Sequence, residues 1–189
     1  MPTRRGTASA HVALLRGINV GGNNIIRMDA LRESFAAMGF SSVRTLIASG
    51  NVVFRTSAAD PRKLEAAIEK VLSRNHGYAA KVVVRSLAEY GRMMRAIPPR
   101  WGSDKSLRYY VIFLRHAIDR RSLLGELDVN EEVEEVRYVP GALLWSARID
   151  ALTRSKMRNV MGRPLYQDMT VRNLNTARKT FAMMKACRP

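Results

Sequence analysis

Strand-like and helix-like stretches alternate along this chain in an order that few folds accommodate. His11 to Ile18 is apolar on both faces, the pattern of a central strand. Met28 to Met38 sets Leu31, Phe35 and Met38 on one helical face, and Gly39 ends that helix. Val43 to Ala48 and Val52 to Arg55 read as two strands around the tight turn Ser49-Gly50-Asn51. Asp60 as N-cap and Pro61 at the first helical position open a helix with the apolar face Leu64, Ala67, Ile68, Val71 and Leu72. Lys81 to Arg85 is a strand, and Ser86 caps a helix from Leu87 to Ile97 that stops at Pro98-Pro99. The order is β-α-β-β-α-β-α.

The order recurs after a linker at 100–107. Arg108 to Leu114 is a strand, Asp119 caps a helix to Leu127, and Val133 to Val139 and Leu143 to Ala147 flank the turn Pro140-Gly141. Ser155 to Gly162 is a helix, a short extended piece lies near Asp168-Met169, and Val171 to Ala186 is a basic terminal helix. The expected fold is α+β, with two related split-βαβ (ferredoxin-like) halves, 11–99 and 108–189. Each half is an antiparallel sheet with helices on one face. Residues 1–10 are expected to form a disordered arm.

This topology brings two polar turns together. In a split-βαβ unit the third strand pairs with the first and runs antiparallel to it. The turn Ser49-Gly50-Asn51 therefore reaches the exit of the first strand, where Arg16 leads into Gly17, Asn19, Gly21, Gly22, Asn23 and Asn24. Arg16 offers a guanidinium to an anion. The Gly17–Asn24 loop offers backbone N–H groups, although it matches no phosphate-loop motif. Thr45 and Ser49 share a strand face directed at the same rim. Each residue also has a structural reading: Arg16 holding loop carbonyls, the Asn side chains bonding their own backbone, and Gly50 making the hairpin.

Charge decides which ligands suit such a rim. The chain has 189 residues, 32 Lys or Arg against 16 Asp or Glu, and a formal net charge of +16. The excess is segregated: residues 151–189 carry nine bases against Asp168, whereas residues 126–135 carry six acids and no base. Acidic residues Glu131, Glu132, Glu134 and Glu135 read as a solvated edge. No apolar run approaches a membrane span, and the one behind the basic start is cut short by Arg16, shorter than a secretory leader needs, so the expected setting is cytoplasmic. Cys187, near a frayed end, reads as a bystander. No metal spacing or cofactor motif is present, and His11, His76 and His116 fall outside the motifs. Trp101, Trp145 and the methionines read as core or anchoring residues.

The segments ALLRGINVGGNN (13–24) and VRTLIASGNVVF (43–54), with Met28 and Leu31 between them, resemble the bacterial family catalogued as domain of unknown function 1697. Ser155-Lys156 resembles that family's Ser-Lys pair. Thr170, Arg172, Asn173, Thr176 and Lys179 resemble its terminal Thr-x-Arg-Asn-x-x-Thr-x-x-Lys pattern. The resemblance implies an α+β fold with a ferredoxin-like N-terminal part, and no activity comes with it. The chain departs from the family pattern at Asn23, Leu46, Leu174 and Thr180, where Lys, an aromatic residue, Trp and Leu are usual.

On the expected terminal helix, Arg172, Thr176 and Lys179 share one face opposite Leu174, Ala177, Phe181 and Met184. With Lys156 and Asn173 they form a basic patch, and the helix is expected to return across the first half's rim. The leading expectation is binding of a phosphate-bearing anion, with nucleic acid as first candidate and a phosphorylated small molecule as second. An enzyme acting on a small anionic metabolite and a structural or partner-binding module are the alternatives. Neither a cofactor nor a membrane partner is expected.

Overall fold

The structure, a computed structural model, describes residues 7–46, 50–58 and 60–187. The first strand is β1 (Ser9–Leu15), followed by α1 (Met28–Ala37), the hairpin β2 (Ser41–Leu46) and β3 (Asn51–Thr56), α2 (Pro61–His76) and β4 (Val82–Ser86). Helix α2 begins where Asp60 accepts a hydrogen bond from the Arg62 N–H (3.0 Å) and ends at left-handed Gly77. Helix α1 lacks a side-chain cap at Arg27. The adjacent Asp29 carboxyl, bonded by Arg27 and by the Ala30 N–H, is held at about 2.

The strands form an antiparallel sheet in the order β2-β3-β1-β4. Ala13 and Leu15 of β1, Val52 and Phe54 of β3, and Val82 and Val84 of β4 face Leu31 and Phe35 of α1 and Leu64, Ile68 and Leu72 of α2. Val12, Leu14, Val53 and Val83, on the other face, are also fully buried, as a central strand apolar on both sides requires. The edge strand β4 would leave N–H groups exposed to pairing with another chain. Two glutamates of α2 cover them: Glu65 accepts from the Val84 N–H and Glu69 from the Val82 N–H, each at 3.0 Å.

The second set of elements is α3 (Leu87–Ala96), β5 (Leu107–Leu114), β6 (Glu134–Val139), β7 (Ala142–Arg148), α4 (Met157–Val160), β8 (Met169–Asn173) and α5 (Leu174–Lys185). Its sheet, β6-β7-β5-β8, repeats the strand order of the first. The fold is therefore α+β with two split-βαβ sheets. The helices of the second are much reduced. The segment expected as a helix from Asp119 to Leu127 is a 3-10 turn at Arg121–Glu126. Asp119 does not cap it, because its carboxylate accepts from the Tyr138 hydroxyl (3.0 Å) and the Gly141 N–H (2.8 Å). The helix expected over 155–162 shrinks to four residues, between 3-10 turns at Ile149–Arg154 and Pro164–Asp168. Gly162 favours a break, and Pro164 pushes Arg163 out of the helical region.

The terminal helix starts at Leu174, not Val171. Thr170, Arg172 and Asn173 belong to β8, which pairs with β5 through Val111↔Arg172 and Tyr110↔Asn173. Arg172 thus shares no helix face with Thr176 and Lys179. Thr176 is buried, so it is not on an exposed basic face either.

By their contacts, residues 1–88 with 180–189 form one compact unit and residues 89–179 another. The boundary falls at Ala88, ahead of the expected linker, and the terminal segment groups with the first unit. Arg55 explains part of this, since its guanidinium donates to the Cys187 carbonyl (2.9 Å) and to Ala8. Cys187 is 3% exposed with its thiol against the Ser42 carbonyl, so it is a packed residue, not a frayed bystander. Among the described residues no helix is long and apolar enough to cross a membrane.

Candidate functional site

The rim of the first unit is built from the exit of β1. The Leu15 N–H donates to the Gly50 carbonyl (2.8 Å), which fixes Gly50 beside the β1 exit, and the Arg16 N–H donates to the Lys81 carbonyl (2.9 Å). Gly50 has φ +75°, and a Cβ there would lie 2.7 Å from Leu15 Cβ. Only glycine fits this approach. Asn51 is fully buried and donates from Nδ2 to the Leu46 carbonyl (3.0 Å). Thr45 accepts from Arg32 (3.1 Å). Ser49 lies outside the described residues.

The asparagines of the adjoining loop hold its backbone. Asn19, at φ 53°, acts as a strand partner for Ile26: its Oδ1 accepts from the Ile26 N–H (2.8 Å) and its Nδ2 donates to the Ile26 carbonyl (3.0 Å). Asn24, at φ 48°, donates to the Gly17 carbonyl (2.9 Å). The Asn23 N–H closes a turn onto Val20 (3.1 Å). Gly21 and Gly22 also take positive φ, and both are exposed; Asn23 is exposed as well. This arrangement supports the folding role for Asn19, Asn24 and Asn51.

Lys156, expected in a basic patch, reaches Asp128 at 3.0 Å. Its neighbour Ser155 is buried and donates to Glu134, as do Trp145 Nε1 (3.0 Å) and the N–H groups of Lys156 (2.9 Å), Met157 (3.2 Å) and Asn130 (3.1 Å). Glu134 is 5% exposed and is not part of a solvated edge. A buried carboxylate needs donors on its lone pairs, and five converge here. The Ser-Lys motif thus anchors the chain from β7 into α4.

Within the second unit, Arg172 lies on the sheet face opposite Ile112 and Val171, and its guanidinium donates to the Val171 carbonyl (2.8 Å). Burial lowers it to about 10, against the opposing influence of the phenols Tyr90 and Tyr166. Asn173 accepts from the Thr176 N–H (2.7 Å) and so caps α5. Lys179 is exposed.

Asn173 also lines a groove of about 460 Å³ with Gly102, Leu107, Arg108, Tyr109, Tyr110, Leu174, Asn175 and Arg178. Arg178 is fixed by donation to the Trp101 carbonyl (2.8 Å), and Trp101 packs on Tyr109 with centroids 5.2 Å apart. Arg108 is exposed and has no carboxylate partner among the described residues. No acidic side chain lines the groove. Two guanidinium groups and two side-chain amides offer hydrogen-bond donors to an anion, and two tyrosines offer ring faces to an uncharged part of a ligand. Arg108, Tyr109, Tyr110, Asn175 and Arg178 escaped the sequence reading. The available signal was Arg108-Tyr109-Tyr110 at the start of a strand, basic and aromatic residues side by side. Among the described residues no cluster of His, Cys, Asp and Glu could hold a metal.

The rim asparagines, the Ser155–Glu134 anchor and the Asn173 cap are thus established for this chain. No curated protein matches it. Its structure is similar to that of the conserved bacterial protein SP0830 from Streptococcus pneumoniae, with a TM-score of 0.82 and 22% identity over 94% of this chain and 99% of that one. That likeness concerns the fold. A family model described as a protein of unknown function (DUF1697) matches residues 9–145, and the chain belongs to that family.

Proposed function

We propose that the chain binds a phosphate-bearing anionic ligand in the groove of the second unit. One observation carries this reading: Arg108, Arg178, Asn173 and Asn175 line one concave surface with Tyr109 and Tyr110, and no carboxylate is among its lining residues. Guanidinium forks hold phosphate oxygens in pairs, and a net charge of +16 draws anions to the surface. At the rim, by contrast, three asparagines are spent on backbone.

Fluorescence anisotropy with a labelled single-stranded RNA across a salt series tests the proposal. Affinity is expected to fall steeply with rising salt as counterions are released. Arg108→Ala is expected to weaken binding for all sequences alike and to reduce the salt slope by about one. Absence of binding at low salt to RNA, to DNA and to phosphorylated small molecules overturns the reading. So does full binding by an R108A/R178A variant.

A further inference from the structure

The second sheet leaves a bowl where the first has helices. In the first unit, Leu31, Phe35, Leu64, Ile68 and Leu72 of α1 and α2 fill one face of the sheet. In the second unit the equivalent face is covered by 3-10 turns and the four-residue α4. A cavity of about 320 Å³ remains, within the usual range for small-molecule sites. Ile112, Trp145 and Val171 of the strands form its floor, and Leu152, Met157 and Tyr166 are among its walls. No charged side chain lines it. Tyr110 and Trp145 stack at its side with centroids 4.8 Å apart. Met161 at its rim is 51% exposed, although methionine is ordinarily a core residue.

The cavity and the groove adjoin. Tyr110 lines both. Along β5 the residues on this face run Ile112, Tyr110, Arg108, and along the paired β8 they run Val171, Asn173. One step of two residues, about 7 Å, leads from apolar floor to polar groove. Walls on several sides make this a bowl sized for a small molecule, and the lining is suited to a flat uncharged ring through stacking and sulfur–aromatic contact.

We propose that this site takes an amphipathic small molecule: a flat, largely apolar ring system in the Tyr110–Trp145 cavity, joined by a short link to a phosphate held by Arg108 and Arg178. The anionic end rests on the proposed function; the ring end does not. Two probes separate them, 2-naphthol, which has the ring alone, and 2-naphthyl phosphate, which has both parts. With ¹³C-methyl-methionine NMR, both are expected to shift Met157, Met161 and Met169 saturably while Met28 and Met38 stay unmoved. The phosphate ester is expected to bind at least about tenfold tighter at low salt, by the added charge-assisted bonds. Arg108→Ala is expected to erase that advantage and leave naphthol binding unchanged. Met161→Glu, at an exposed position that does not endanger folding, is expected to weaken both. No saturable shift at Met157, Met161 and Met169 with either probe overturns the ring site. Naphthol binding with no gain from the phosphate overturns the joined ligand and tells against the anion-binding groove.

Discussion

Gly50 shows how much one missing side chain determines. At φ +75°, with Leu15 Cβ at 2.7 Å and Ile18 Cδ1 at 2.9 Å from an added Cβ, alanine meets both backbone strain and overlap. Gly50→Ala is expected to cost about 3 kcal/mol, combining left-handed strain with overpacking. In thermal denaturation this appears as a fall of roughly 6–12 °C; an unchanged melting curve refutes the close approach. Tyr78 makes the opposite case. Its hydroxyl is buried and makes no hydrogen bond among the described residues, and burial with the nearby Glu69 carboxylate pushes it up to about 12 from the ordinary 10.0. Below pH 10 folded and unfolded chains both keep the proton. Between pH 10 and about 12 only the folded chain keeps it, so stability falls as pH rises through that window. Tyr78→Phe is expected to remove this part of the alkaline loss without destabilising the protein at pH 7. Urea denaturation at pH 7 and across the alkaline window measures both effects.

Among the elements, α4 is the one whose existence depends on a distant residue. Four residues cannot hold a helix by propensity. Glu134 of β6 holds this one by accepting from the Lys156 and Met157 N–H groups as the chain enters α4, while binding Trp145 and Ser155 with its other oxygen. Glu134→Gln replaces one accepting oxygen with an amide that faces donors, and is expected to cost about 2 kcal/mol or more. Trp145 emission should shift in the same variant, because its indole N–H loses an acceptor or α4 loosens over it. Wild-type stability together with wild-type emission would falsify the anchoring role. The asparagines of the 17–26 loop act in the same way at smaller scale, since Asn19 replaces a missing strand neighbour for Ile26.

For the whole molecule, the net charge of +16 is carried by a surface rich in arginine. Several of these cations are paired close by, as in Arg27–Asp29, Arg120–Glu126 and Arg148–Asp150, and such exposed pairs contribute little to stability. The unpaired excess repels itself. Raising NaCl from about 0.02 to about 0.3 M shortens the screening length and should raise the melting temperature, even as it weakens anion binding. A melting temperature that falls over that range would show that ion pairing outweighs self-repulsion.

The strand order was legible in the sequence because it follows from local pattern. Two-residue alternation, a 3.6-residue apolar period, Asp60-Pro61 and Gly77 at the ends of α2, and glycine in the β2–β3 turn each act over a few residues. Those signals also led from Arg16 to Gly50, because pairing order dictates that meeting. They failed where an outcome depended on partners far along the chain. Val171 and Arg172 suit a helix by period, yet β5 offered an unpaired edge and claimed them as a strand. Glu134 stands among surface acids, and only the return of Ser155 to Met157 makes its burial favourable. The groove joins Arg108, Asn173 and Arg178 through the Tyr110↔Asn173 register, and the apolar cavity exists because α4 is short. Sequence alone determined most of the strands, the helices of the first unit and the order in which they follow one another. The tertiary structure decided which polar groups are spent on backbone and which remain for a ligand, because hydrogen-bond satisfaction of a buried group is settled only when its distant partners arrive.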